Sequence, residues 1–218
     1  MSSFGFRKPD DLPRTIPIFP LAGAVLFPRS TLPLNIFEPR YLNMIDDALA
    51  GERLIGMIQP AANDSGTHPA LADIGCVGKI TAFSETDDGR YLITLTGVSR
   101  FRVGRELEMS APYRKVEAVW DAYAPDLSER EVGGAIDRQS LQLALRHYAE
   151  SRGFQIDWEA AGEAPAEMLV NAICAACPFE RVEKQMLLEA DTVADRCDTL
   201  VALLEMGAAE PPGGAPLQ

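Results

Sequence analysis

Four cysteines, two histidines and no long apolar run leave this 218-residue chain with little conspicuous chemistry. Thiols so few and so irregularly spaced do not make a disulfide framework; they point to a cytosolic protein with reduced cysteines. No segment approaches the ~18 consecutive apolar residues of a membrane helix. The opening "MSSFGFRKPDDLP" lacks the apolar core of a secretory signal. A phosphate-cradling loop is missing too, because "GCVGKI" has Gly-Lys without the Gly-x-x-x-x-Gly-Lys-Ser/Thr spacing. His68, in the loop "AANDSGTHPALAD", and His147, on the exposed side of a helical stretch, form no readable Ser/His/Asp or Cys/His arrangement. The acid pairs Asp46-Asp47 and Asp87-Asp88 fall on a helix face and in a turn, where solvation accounts for them.

Positive charge is also short. The net charge is −12, and it is uneven: residues 1–120 hold 13 Lys/Arg against 14 Asp/Glu, residues 121–218 hold 7 against 18. A nucleic-acid binder needs a local excess of cations to displace counterions from phosphates. This balance disfavours RNA or DNA as the partner.

What is present divides by period. The first half reads as strands: "TIPIFPL" (15–21), "STLPLNIF" (30–37), "RLIGMIQP" (53–60), "IGCVGKITAFSE" (74–85), "RYLITLTGVSRFRV" (90–103) and "YRKVEAVWDAY" (113–123). Prolines inside the first two predict edge or bulged strands, since proline cannot donate to a ladder. Asp88-Gly89 predicts a hairpin. One helix interrupts, "PRYLNMIDDALAGE", with Tyr41, Met44, Ile45 and Leu49 on one face, Pro39 in its first turn and Gly51 at its end.

The second half reads as helices. Ser128-x-x-Glu131 has the form of a capping box opening a long helix with Leu141, Leu145 and Tyr148 as its stripe and Gly133-Gly134 as a weak point. "APAEMLVNAICAAC", "PFERVEKQMLLEA" and a last helix capped by Thr192-x-x-Asp195 follow. The expectation is an α+β chain: a β-rich domain over 12–122, a helical subdomain over 126–206 and a disordered tail over 207–218.

Cys174 and Cys177 are three apart on a helix and could approach one another. They sit at its C-terminus, however, where the dipole does not lower a thiol pKa as it does at a strand-to-helix turn. Zinc would need four ligands; Cys197 could join in space, but no fourth is visible. Core packing is the expected role, with no metal and no cofactor.

The order of segments resembles a known family. "IPIFPLAGAVLFPRSTLPLNIFEPRYLNMIDDAL", then "IGCVGKI", "DGRYLITLTGVSRFRV" and "PYRKVEAV", are similar to the N-terminal substrate-recognition domain of the ATP-dependent Lon protease. "KQMLLEADTVADRCDTLVALLE" resembles that family's closing helix pair, so the likeness covers about residues 14–206. It implies a PUA-like β pseudobarrel with one inserted helix, followed by a C-terminal helical bundle. It also implies a non-enzymatic module that holds unfolded or tagged polypeptides and works with a separate ATP-dependent protease, because the chain is too short for the family's ATPase and protease parts. RNA binding, a habit of PUA-like folds, and a thiol or metal enzyme built on Cys174 and Cys177 are the alternatives.

Within that frame Phe27, Phe37, Arg40 and Tyr41 are the candidate polypeptide contacts, Phe27 by lying near an open edge. Glu38, Arg100, Phe101 and Arg102 are expected to form a structural seam. Glu38 would pair with Arg100 or Arg102, and its neutralisation would destabilise the fold.

Overall fold

The computed structural model describes residues 4–61, 69–108, 111–128 and 136–209. It has six strands, β1 (Thr15–Pro20), β2 (Thr31–Ile36), β3 (Leu54–Ile58), β4 (Ile74–Glu85), β5 (Tyr91–Glu106) and β6 (Lys115–Val119). Its helices are α1 (Pro39–Ala50), α2 (Arg138–Arg152), α3 (Trp158–Glu163), α4 (Ala166–Ala176), α5 (Arg181–Glu189) and α6 (Val193–Ala209). The expected strand after Lys115 ends at Val119, and Asp121–Leu127 forms 3-10 turns instead. Contacts divide the chain into two units, residues 1–131 with 179–188, and residues 132–178 with 189–218.

In the strand-rich unit the sheet order is β2-β5-β4-β3-β1-β6, and β6 pairs again with β5, which closes a ring of five strands. The length of β5 makes this possible. One edge pairs with β4 along most of its run; the other pairs first with β2 (residues 91–96) and then with β6 (102–106). Irregularities in β4 at Val77/Gly78 and Ile80/Ala82 bend it as closure demands. Beyond the ring, β2 and the outer halves of β4 and β5 extend as a three-stranded arm, turned at Gly89, whose φ of 77° suits glycine.

The ring is filled by Ile16, Ile18, Leu54, Ile58, Val77, Val98, Phe101, Val116 and Trp120, with Phe101 and Trp120 meeting edge to face at 5.8 Å. Gly97 is obligatory: a Cβ there would strike the Phe27 carbonyl.

The prolines within β1 and β2 now have a register. Ala118 donates to the Arg14 carbonyl and Ile18 to the Arg114 carbonyl, so Thr15 and Pro17 turn their backbone groups away from β6. Likewise Gly97 donates to the Ser30 carbonyl, so Thr31, Pro33 and Asn35 face away from β5. Both prolines thus occupy positions where no ladder N–H is required.

The helical unit holds α2, α3, α4 and α6. Asp137, not the Ser128–Glu131 pair, caps α2, accepting from the amides of Gln139 and Ser140; Glu131 and Gly133-Gly134 lie outside the described residues. Helix α3, which no apolar stripe announces, is capped by Asp157, and Arg138 donates to the carbonyls of Ala161 and Ala164 near its end. Thr192 and Asp195 cap α6 reciprocally, and that helix runs past Met206 to Ala209. The rest of the tail, 210–218, is outside the described residues.

One assignment is corrected. Helix α5, expected in the helical subdomain, belongs through Leu188 to the strand-rich unit. Gln59 donates to the Arg181 carbonyl and the Gln185 side chain, Gln185 donates to the Ile74 carbonyl, and Lys184 to the Gly23 carbonyl. An amphipathic pattern says that a helix buries a face, but not against which partner.

Candidate functional site

At the joint between β2 and α1, alternation in the strand decides which side chains face in. Ile36 is buried, so Phe37 points the other way and is 63% exposed rather than closing the core. Pro39 occupies the first turn of α1, as expected. Tyr41 is buried against Phe19, ring centroids 4.1 Å apart, and burial raises its phenol pKa. Arg40 lies over the Tyr41 ring at 4.5 Å and pairs with Glu38 at 2.8 Å. Glu38 therefore joins its own neighbour at the surface, not Arg100 or Arg102. Arg102 is exposed on β5 opposite Ile74. Phe27 is fully buried, its amide taken by the Ser30 hydroxyl, so its ring is core and not an edge contact.

The fastening lies elsewhere. Arg100, buried in β5, makes a forked pair with Asp126: Nε donates to Oδ2 and Nη2 to Oδ1, each at 2.9 Å, and the Arg100 amide also donates to Oδ2. Burial alone would weaken its charge, but the hydrogen bond and charge of Asp126 outweigh that and raise its pKa. Arg100 Nη1 also reaches the Leu188 carbonyl of α5, and Arg29 donates to the Asp126 carbonyl. Asp126 thus ties the 3-10 turns to β5 through its carboxylate and to the segment after β1 through its main-chain carbonyl. Sequence reading missed Asp126 because only the register of β5 brings it to Arg100, from 26 residues away.

Phe37, Phe83 and Leu92 are exposed on or at the end of the arm, while Phe4, Val119, Val182 and Met186 are exposed elsewhere in the strand-rich unit. Register places Phe83 opposite Ile93, and Phe83 meets Tyr91 edge-on at 5.0 Å. Leu92, opposite Asn35, is exposed on the other face, and Phe37 follows Ile36, the partner of Tyr91. Phe37 stands just past the end of β2, while β5 separates Phe83 from it; the outer edge of β2 pairs among the described residues with no other strand. It presents two backbone N–H groups, of Thr31 and Asn35, and three carbonyls, of Thr31, Pro33 and Asn35. The arm offers Phe37 and Leu92 next to an open strand edge. Alternation in "YLITLT" and "TLPLNIF" carried the signal for Leu92 and Phe37.

Comparison with known proteins agrees with this architecture. The family described as the ATP-dependent protease La (LON) substrate-binding domain matches residues 15–206. The chain belongs to this family. Among the Lon substrate-binding domain's solved structures, the Lon N-terminal domain protein from Xanthomonas campestris superposes with a TM-score of 0.62 at 22% identity, covering 86% of this chain and 97% of that one. The N terminal domain of Mycobacterium avium complex Lon protease gives 0.61 at 16%, covering 87% and 97%. The Lon protease of Roseiflexus castenholzii is 26% identical over 91% of this chain. The present chain spans 25% of that protein and 12% of the Desulfosudis oleivorans Lon protease, to which it is 36% identical over 96 residues.

In this Lon-family chain the thiols are buried. Cys174, Cys177 and Cys197 are in no disulfide, and Cys174 lies within electrostatic reach of the other two. Burial, against the opposing charge of Arg196, pushes the Cys174 thiol up to about 12; burial pushes Cys197 up to about 11. Such thiols are poor nucleophiles at neutral pH. Among the described residues no three His, Cys, Asp or Glu groups are placed to hold a metal, and no helix is long and apolar enough to cross a membrane. His147 is exposed on α2, and His68 lies outside the described residues.

Proposed function

We propose that this protein is a polypeptide-binding module that grips extended, partly apolar segments of unfolded chains along its arm, in the service of a separate ATP-dependent protease. The observation that carries the reading is the open edge of β2 with Phe37 just past its end and Leu92 on the adjoining strand. An extended client can add to that edge through backbone hydrogen bonds while its alternate side chains meet exposed apolar groups. Pro33 withholds one donor, so one client carbonyl goes unmet. That keeps the grip weak and reversible, as transfer to a protease requires. Phe37 and Leu92 supply apolar contact; Arg40, held on Tyr41, stands at the rim of the joint.

The test is fluorescence anisotropy with a labelled, permanently unfolded polypeptide. Phe37→Ser with Leu92→Ser should weaken binding about tenfold or more, with little change in melting temperature, and clients should slow amide exchange at Thr31 and Asn35. Affinity unmoved by the double variant would refute the arm. Casein breakdown by the protein alone, or salt-dependent binding of RNA in preference to unfolded chains, would overturn the wider reading.

A further inference from the structure

The two faces of β2 differ at its open edge. Leu32 stands opposite Leu95, Leu34 opposite Ile93 and Ile36 opposite Tyr91, so these side chains share one face of the arm. Ile36, Ile93 and Leu95 are buried there, whereas Leu32 and Leu34 are only half-buried. The two leucines mark the place where an apolar face runs out at the edge. Thr31, Pro33 and Asn35 are exposed on the other face, that of Leu92, and turn their backbone groups outward.

A strand added antiparallel to β2 therefore has two kinds of position. Residues opposite Thr31, Pro33 and Asn35 give their N–H groups to the three outward carbonyls. Residues opposite Leu32 and Leu34 fall at the non-hydrogen-bonded pairs, where side chains approach most closely, and their own N–H groups point to solvent. At those two positions a client N–H has no bond to lose, and an apolar side chain continues the face of Ile93 and Leu95. Proline meets both conditions, and it also holds the residue before it extended. The prolines of β1 and β2 obey the same rule within this chain, since each sits where no ladder N–H is required.

We propose that the arm selects its clients by the parity of their prolines: it takes extended segments with proline or aliphatic residues opposite Leu32 and Leu34, and residues bearing an N–H at the positions between. This rests on the polypeptide-binding reading of the arm and gives its client a chemical class. Pro33 sharpens the selection. Because it offers no donor, the edge supplies two N–H groups against three carbonyls, and most of the backbone attachment depends on the client's own N–H groups. A proline opposite Thr31, Pro33 or Asn35 removes one of them.

The probe is a blocked, fluorescently labelled heptapeptide of alternating threonine and valine, beginning and ending in threonine, with a lysine added at each end. It is titrated against the whole protein by anisotropy. Proline at two of its valines should leave affinity within about threefold; proline at its two inner threonines should weaken it about tenfold or more, the loss of two backbone hydrogen bonds. On the protein side, Asn35→Pro removes a donor that the β5 ladder does not use, so it should weaken the probe severalfold with little change in melting temperature. Pro33→Ala adds a donor and should tighten binding severalfold. Should Asn35→Pro fail to fold, the two proline-bearing peptides still decide, with the protein unaltered. Equal loss at both sets of positions, tolerance at both, the reverse preference, or no binding at millimolar peptide would each overturn the proposal. If Phe37→Ser with Leu92→Ser weakens the grip on unfolded chains while the two proline peptides bind alike, the arm stands and the parity rule falls. If the peptides differ as expected but that double variant changes nothing, the parity rule stands at the edge and the arm's apolar contacts fall.

Discussion

The two units each bury an arginine, and they do it differently. In the strand-rich unit Arg100 meets a carboxylate, Asp126, in a forked pair. In the helical unit Arg196, which is 2% exposed, donates to the neutral side chain of Asn171 at 2.8 Å, within electrostatic reach of the buried Cys174. The first arrangement ties segments remote in sequence, β5 to the 3-10 turns, with a further bond to α5. The second joins α6 to α4, in a unit where local caps set the starts of α2 (Asp137), α3 (Asp157) and α6 (Thr192). The strand-rich unit ties segments with forked ionic pairs, Arg100 with Asp126 and, nearer in sequence, Arg114 with Glu106, whereas local caps start three helices of the helical unit.

Removing Asp126 should break that contrast most severely. Asp126→Ala leaves Arg100 buried and charged, with its backbone amide also deprived of an acceptor, at a cost of about 3–5 kcal/mol. The chain's two tryptophans allow the loss to be located, since Trp120 lies in the strand-rich unit and Trp158 in the helical one. In urea, the midpoint read at Trp120 in a variant lacking Trp158 should fall sharply. Adding Arg100→Met should recover much of the loss, because no unpaired charge then remains. A lone Asp126→Ala effect below about 1 kcal/mol would show that the pair is not a fastening.

The helical unit should instead reveal itself in alkali. The folded-state values of Cys174 and Cys197 are raised to about 12 and about 11, against an ordinary thiol value of 9.0. A raised pKa means that the unfolded chain ionises first. The stabilisation from keeping these thiols neutral is complete below pH 9 and is lost as the pH climbs through 11 and 12. Each thiol should cost roughly 1 kcal/mol per pH unit above that onset. Circular dichroism in urea between pH 7 and 10.5, with Trp158 as a second probe, should show the decline, and Cys174→Ala should flatten it. A pH-independent midpoint for the helical unit would contradict the burial of these groups.

Legibility in the sequence followed the range of the interactions. Strands β1 to β6 and helices α1, α4 and α6 could be read because period, proline and glycine are local signals, and Thr192 caps α6 by accepting from the Asp195 amide only three residues on. What escaped depends on register. Asp126 sits in "DAYAPDL", which has no periodicity to orient it, and only the closure of β6 onto β5 presents it to Arg100. Helix α5 carried an apolar face without an address, and Gln59 supplied the address from 122 residues away. The fate of the candidate contacts turned on parity. Phe27 sits where its carbonyl packs on Gly97, and Phe37 falls one residue past an inward Ile36. A single step along a strand exchanges core for surface.

Parity also makes the smallest effect informative. Glu38 and Arg40 form a pair two residues apart, their side chains 44% and 47% exposed. Solvent screens such a pair, and the entropy of holding two long side chains offsets most of the attraction. Glu38→Gln should therefore shift stability by no more than about 0.5 kcal/mol, measured as a change in the urea midpoint at Trp120. The charge that Glu38 holds in place is that of Arg40 over the Tyr41 ring at 4.5 Å. Freed of its partner, Arg40 should sample more orientations at the joint beside Phe37, so client binding is expected to change by a small factor at most. A loss comparable to that of Asp126→Ala would mean that Glu38 reaches into the core after all, as a further ionic fastening of the strand-rich unit.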